Sequence, residues 1–242
     1  MEHPKEWFAS WFNTTYYHIL YKHRDYREAQ LFMHHLISYL NLKKGDSVLD
    51  LACGKGRHAI YLNSLGFNVT GADLSKNSIA YAKQFENTSL KFVEHDMRNP
   101  FQTKFNAIFN LFTSFGFFED DAEDIAILQN IKNGLLPNGV AVIDFLNVKK
   151  AVNELIPEET ITIDTIEFHI KRYVEKGFII KEINFFADGK QHRYFEKVKS
   201  LHLNKIKLFL ETVGFEVQHI FGNYKLDQFD EENSDRLILI LK

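Results

Sequence analysis

Apolar side chains near the start of the chain recur at intervals of three and four. Trp7, Phe8, Trp11, Phe12, Tyr16, Ile19 and Leu20 form one such series, and Ala29, Phe32, Met33, Leu36, Ile37 and Leu40 a second after the polar break KHRD. That period predicts helices with one buried face, so residues 1–43 are expected to form a helical cap over the core or over a site. The period then shortens. SVLDLAC, FNVTGAD, LKFVEHD, FNAIFNLF and VAVIDFL are compact apolar runs, separated by the helical patterns GRHAIYLNSLG, SKNSIAYAKQFE and DDAEDIAILQNIKNGL and, before the last, by an LPNG turn. Strands alternating with helices at this pitch predict right-handed βαβ units and a parallel sheet, an α/β fold. Over 159–200 the alternation becomes strand-like without long helices (TITIDT, FHIKRYVE, FIIKEINFF, HRYFEKVKS), with turn signals at EKG and ADGK. An antiparallel β insert follows the fifth strand, with 147–158 as its hinge or linker. LNKIKLFLETVG restores a helix, and FEVQHIFG and RLILILK add two closing strands.

Composition narrows the class. The 242 residues carry 29 basic and 32 acidic side chains, a formal net charge of -3, and 45% are hydrophobic. A single domain over 1–242 is expected. No basic field for nucleic acid or an anionic membrane is visible, and FNAIFNLFTSFGFF is too broken by polar residues to span a bilayer. The one cysteine, Cys53, excludes an intramolecular disulfide. MEHPKEWFAS lacks the basic-then-apolar order of a leader, so the cytoplasm is the expected location. The eleven histidines show no ligand spacing, and the adjacent His34 and His35 would point apart on a helix, so no metal is expected.

Candidate chemistry centres on VLDLACGKGRHAI. Gly54, Gly56 and Ala59 fit the loose pattern G-x-G-x-x-G/A, which can mean a dinucleotide site or simply a tight strand-to-helix turn. Asp50, at the strand end before the turn, would repel a pyrophosphate but favour an ammonium or sulfonium. Asp73, closing the second strand, suits the two hydroxyls of a ribose, a contact shared by both kinds of cofactor. Asp96 can accept from an adenine amino group, with Met97 against the ring.

In this order the motifs resemble the class I S-adenosylmethionine-dependent methyltransferases. VLDLACGKG resembles their first motif, GADLS their ribose-binding acid, EHDM their adenine-binding pair, LLPNGVAVIDF their turn into strand five, and the closing FLETVGFEV…RLILI their last helix and strand pair. The resemblance implies a Rossmann-like seven-stranded sheet of order 3-2-1-4-5-7-6 with strand 7 antiparallel. It implies S-adenosyl-L-methionine as cofactor, with Asp50, Ala52 and Gly54 at its methionine end, Asp73 on the ribose and Leu74 beneath the adenine. Asp96 and Met97 would bind the adenine, and Leu111 would offer its carbonyl to the ammonium. YYHILY is similar to the Tyr-Asp-x-x-Tyr segment of small-molecule N-methyltransferases, with His18 in place of Asp. Tyr17 and Tyr21 would then close over the sulfonium, and Arg24 or Arg27 would meet the cofactor carboxylate.

The acceptor is approached through absences. NLFTSF after the fourth strand contains no proline, unlike the Pro-Pro loop of enzymes that methylate DNA amino groups, and the only cysteine lies in the glycine turn rather than in a Pro-Cys loop. A small-molecule acceptor, methylated at N or O by direct displacement, is the expectation. Its contacts would come from Thr113, Ser114 and Phe115 and from His169, Arg172, Tyr194 and Glu196 of the insert, which would be a lid or a dimer surface on a monomer or homodimer. No general base is assigned. The rival readings are an NAD(P)-dependent oxidoreductase and a non-catalytic cofactor-binding protein.

Overall fold

The computed structural model describes residues 6–22 and 26–242, with the side chain of Tyr26 left aside. The chain opens with three helices, α1 (Trp7–Trp11), α2 (Thr15–Leu20) and α3 (Tyr26–Leu40). The core follows as β1 (Ser47–Leu51), α4 (Arg57–Ser64), β2 (Asn68–Asp73), α5 (Lys76–Ala82), β3 (Leu90–Glu94), β4 (Phe105–Asn110), α6 (Asp121–Asn133) and β5 (Leu135–Leu146). The short α7 (Val148–Asn153) leads to β6 (Glu158–Ile163), β7 (Ile166–Glu175), β8 (Phe178–Ala187) and β9 (Lys190–Lys199), and α8 (Leu203–Thr212), β10 (Val217–Phe221) and β11 (Arg236–Leu241) close the chain.

The seven core strands hydrogen-bond in the order β10-β11-β5-β4-β1-β2-β3. Counting β10 and β11 as core strands six and seven, this is 3-2-1-4-5-7-6, and β11 runs antiparallel to both its neighbours. β1 to β5 are mutually parallel, and the near-continuous burial of the central strands β1 and β4 and of the second half of β5 fits a sheet covered on both faces, while the edge strand β3 alternates. Phe32, Met33 and Leu36 of α3 share one apolar cluster with Ala59 and Leu62 of α4 and Ile79 of α5. Ile127, Leu128 and Ile131 of α6 share the other with Ile206, Phe209 and Leu210 of α8. Among the described residues no helix is long and apolar enough to cross a membrane.

Two local expectations are corrected. LPNG is not a free turn ahead of β5: the strand begins at Leu135, and its pairing with β4 jumps register between Leu135 and Val140, where Asn138 (φ 64°) takes the left-handed conformation that asparagine tolerates. The 147–158 linker is partly helical, because α7 starts at Val148.

β6 to β9 form a separate four-stranded antiparallel sheet. Lys176–Gly177 and Asp188–Gly189 both have paired positive φ (49° and 78°, 50° and 75°), the two-residue turn whose twist matches the flanking strands. Phe168, Ile170, Ile183 and Phe185 on its inner face join the same cluster as Trp7, Phe8 and Trp11. Trp11 packs on Tyr194 with ring centroids 4.7 Å apart, and its Nε1 donates to Glu196 Oε1 at 2.8 Å. The first two helices therefore lean on the insert, whereas α3 packs on the core sheet.

A buried ion pair fastens the end of the insert to the core. Lys199 Nζ lies 2.6 Å from Asp124 Oδ2 and 2.8 Å from Asp121 Oδ1 of α6, and Asp124 is fully buried. Burial pushes the Asp124 carboxyl up to about 6 against the pull of Lys199. Lys199→Met should therefore lower stability by about 3 kcal/mol, because a buried carboxylate loses its cation. The double variant with Asp124→Asn should recover part of that loss, as read from urea unfolding of all three proteins.

Candidate active site

The core sheet reverses its direction of growth at β1, whose neighbours are β2 on one side and β4 on the other. In open parallel sheets a crevice forms outside the strand ends at such a point. Here a cavity of about 1250 Å³ opens there, walled by the residues that follow β1, β2, β3 and β4.

After β1 the backbone turns sharply. Ala52 adopts φ 64°, a strained value for a residue with a Cβ, while the N–H groups of Ala52 and Cys53 both donate to Ala72 O. The two glycines then serve different ends. A Cβ on Gly54 (φ 56°) would project into open space, and Gly54 N–H donates to Asp73 Oδ2 at 2.7 Å. A Cβ on Gly56 (φ 82°) would fall 2.5 Å from the Phe92 ring of β3. Gly54 leaves the cavity side clear, and Gly56 lets α4 close onto the sheet. Cys53, just ahead of them, is buried filler against Gly71 of β2, and burial raises its thiol well above its usual range.

Three acids ring this floor. Asp50 is 2% exposed and accepts from Ala59 N–H at 3.1 Å; burial, reinforced by Asp73, pushes its carboxyl up to about 7, with the Ala59 hydrogen bond opposing. Asp73 accepts Ser75 N–H on Oδ1 and Gly54 N–H on Oδ2, both at 2.7 Å, and burial outweighs these bonds to raise its carboxyl. Asp96 behaves differently: burial works against its charge, but the Arg98 guanidinium and backbone N–H hold it below the usual range. Leu74 and Met97 flank these acids in the same wall.

The loop after β4 forms the next side. Phe112 (φ 58°) and Thr113 (φ 61°) are both left-handed. Asp144 of β5 holds them there. Its Oδ2 accepts Phe112 N–H at 2.8 Å and its backbone carbonyl accepts Thr113 N–H at 2.9 Å. Arg236 of β11 bonds Asp144 Oδ1 through Nε at 2.7 Å and Thr113 Oγ1 through a terminal nitrogen at 2.9 Å, and the Tyr224 hydroxyl reaches Asp144 Oδ2 at 3.3 Å. The Leu111 carbonyl accepts the Ser114 hydroxyl at 2.8 Å.

The roof comes from α2, Tyr21 just beyond it, and the insert. Tyr17, His18 and Tyr21 line the cavity together with Ile179, Lys181, Glu196 and Val198. The Tyr21 hydroxyl lies 2.7 Å from each Glu196 carboxylate oxygen and accepts from Lys181 Nζ at 2.6 Å. Burial, with Lys55 nearby, brings His18 down to about 4, so its ring is neutral at pH 7.

Comparison with known proteins decides the family. A methyltransferase domain model matches residues 42–198, from ahead of β1 through β9. The chain belongs to this methyltransferase family. Its methyl donor is S-adenosylmethionine. The chain is 24% identical to the YqeM methyltransferase of Bacillus subtilis (strain 168) over 212 residues, covering 81% of this chain and 84% of that one. It shares its fold with an S-adenosylmethionine-dependent methyltransferase from Clostridium acetobutylicum ATCC 824 (TM-score 0.80, 20% identity, 94% and 95% of the two chains). A second fold neighbour is the sugar N-methyltransferase KedS8 from Streptoalloteichus sp ATCC 53650 (TM-score 0.72, 18% identity, 93% and 92%).

Within this methyltransferase, Tyr17, Tyr21, Asp50, Ala52, Gly54, Asp73, Leu74, Asp96, Met97, Leu111 and Thr113 all border the one cavity. Arg24 lies outside the described residues, and Arg27 is exposed and outside the cavity wall. Three acceptor candidates do not face the cavity. Phe115 is 1% exposed and packs in the core against Phe145. His169 sits on the outer face of the insert beside Thr160 and Glu167, because the inward positions of β7 are Phe168, Ile170 and Arg172. Tyr194 faces inward, but the rings of Trp11 and Phe185 cover it. Ser114, Arg172 and Glu196 do line the cavity.

Sequence reasoning missed Glu159, Lys181, Asp144, Tyr224 and Arg236. Two of them were detectable as charges breaking apolar runs, Lys181 in FIIKEINFF and Asp144 in VAVIDFL. The different duties of the glycines give a direct check. Gly56→Ala should cost about 2 kcal/mol or more of unfolding free energy, through overpacking on Phe92 added to left-handed strain. Gly54→Ala should cost about 1 kcal/mol, for the strain alone, yet weaken adenosylhomocysteine binding in calorimetry by tenfold or more, since its methyl enters the cavity.

Proposed function

We propose that this methyltransferase transfers the methyl group of S-adenosylmethionine to a nitrogen or oxygen of a small-molecule acceptor. The observation that carries the reading is the shape of the cavity. It runs without a break from the glycine turn to the charged inner face of the insert, and its volume exceeds the roughly 300–1,000 Å³ typical of a site for one ligand. A cofactor fills the floor and leaves space under the roof for a compact second molecule. The sugar N-methyltransferase among the fold neighbours supports an amine as that second molecule.

The chain's groups fit the cofactor. Open space above Gly54 admits its methionine end, and the buried Asp50 favours a cation there over a pyrophosphate, which counts against the dinucleotide reading. The free lone pairs of Asp73 suit the ribose hydroxyls, the Leu111 carbonyl keeps a lone pair for the ammonium, and Leu74 and Met97 supply apolar surface for the adenine. Asp96, already held by Arg98, presents its remaining lone pairs to the adenine amino group. Tyr17 and Tyr21 border the cavity, and an aromatic ring beside the cofactor attracts a sulfonium.

Bound S-adenosylmethionine supplies an electrophilic methyl whose leaving group is a neutral thioether. The protein's contribution is mainly to align the acceptor lone pair with the methyl and to exclude water. The inner face of the insert contributes to the site, which supports a lid; of the cap expected over 1–43, α1 and α2 lie at the cavity and α3 belongs to the core, with 1–242 acting as one unit. A cytoplasmic monomer or homodimer is the setting we infer.

Calorimetry with adenosylhomocysteine and with NAD tests the cofactor assignment, and binding of NAD alone would overturn it. Asp73→Ala should weaken adenosylhomocysteine by an order of magnitude or more, as two hydroxyls lose their acceptor.

Asp50 adds a pH signature. Its folded carboxyl lies near 7 rather than 3.8, so in the ligand-free protein its contribution to stability is present below its ordinary value and is lost as pH rises toward 7. A cation reverses that preference. Affinity for S-adenosylmethionine should therefore fall by up to about tenfold per unit as pH drops from about 7.5 to 5.5, with proton release on binding. Calorimetry in buffers of different ionisation heat measures this, and Asp50→Asn should flatten the profile.

A further inference from the structure

The inner face of the insert carries a row of four charged side chains, one from each strand, all in the cavity wall: Glu159 on β6, Arg172 on β7, Lys181 on β8 and Glu196 on β9. The order of sign is minus, plus, plus, minus. Arg172 and Lys181 are direct partners in the β7–β8 register, and Lys181 and Glu196 are direct partners in β8–β9. Directly paired side chains on one face of an antiparallel sheet stand about 5 Å apart at Cβ, and like charges there repel. Water screens these two poorly, since their side chains are 23% and 14% exposed. Each has a glutamate on its outer side. Arg172 pairs with Glu159, and Lys181 lies 3.7 Å from Glu196. The carboxylates flank the two cations, Arg172 also donates to the Ile156 carbonyl at 3.4 Å and Lys181 to the Tyr21 hydroxyl at 2.6 Å, and the row as a whole is neutral; its centre nevertheless sets two cationic side chains next to each other in the cavity wall.

We propose that this central pair holds a compact oxyanion, a carboxylate or phosphate, carried by the methyl acceptor. The proposal rests on the cofactor lying at the glycine turn, because that assigns the insert end of the cavity to the acceptor. A planar guanidinium can meet such an anion with two parallel hydrogen bonds, and an ammonium beside it adds a point charge. Ile179 and Val198 lie beside the row in the same wall, so the acceptor that fits has an apolar body with the anion at one end and its nucleophilic atom toward Asp50. Glu159 and Glu196 set the specificity by repelling an anion displaced to either side.

The test uses the full chain saturated with adenosylhomocysteine, titrated calorimetrically with 4-aminobutyrate, O-phosphoethanolamine and the neutral 4-aminobutanamide. At least one of the two anions should bind tenfold or more tightly than the amide, and which one does so separates carboxylate from phosphate. Arg172→Gln should erase the preference while adenosylhomocysteine affinity stays within twofold, and Arg172→Lys should keep part of it. Equal binding of amide and anions, no binding of any of the three, or a preference that survives Arg172→Gln would overturn the proposal. Failure of the wild-type chain to bind adenosylhomocysteine would instead overturn the cofactor assignment on which it rests.

Discussion

Everything in the site depends on the divergence of connections at β1. The helices that follow β1 and β2 lie on one face of the sheet and the helix that follows β4 on the other. None of these three crossover helices therefore covers the gap where β1 and β4 end side by side. That gap cannot be filled by backbone without stranding polar groups, so the chain surrounds it with strand-end residues and leaves it open. Asp50, Asp73 and the loop after β4 converge because the parallel strands that carry them all end there.

The charges within this crevice are held in two ways. Asp50 is buried and Asp73 half-buried, and both are answered by backbone N–H groups instead of cations, so their ionised forms are incompletely compensated and ready for a cationic ligand. Asp144 and Arg236 are compensated by each other and fix the left-handed pair Phe112–Thr113. One set is poised for a ligand and the other for shape, and β1 and β5 bring them into the same cavity.

Much of this was legible in the sequence, for physical reasons. Periodicity marks buried faces directly, so the alternating elements and the four strands of the insert could be read from it. Residues at the ends of parallel strands share one edge of the sheet, so the sequence alone brings Asp50, Asp73, Asp96 and Leu111 together. The insert was harder. Whether His169 or Arg172 faces the cavity depends on one step of strand parity, and parity is set by which face meets Trp11 and the core. Tyr194 has the right parity and is still covered by a tryptophan 183 positions earlier in the chain. The Asp144–Arg236–Tyr224 cluster joins three segments whose proximity follows only from β11 pairing with β5.

The hydrogen bond from Trp11 to Glu196 has a further consequence, in time rather than in space. It joins positions 185 residues apart. On a ribosome, the first helices emerge long before the strand they rest against, and Trp11 has no Tyr194 or Glu196 to pack on until β9 has been made. The parallel sheet through β5 can assemble earlier, from nearer contacts. The roof is thus completed only when β9 reaches the waiting N-terminal helices, and until then the crevice remains an open trough on a sheet of five parallel strands.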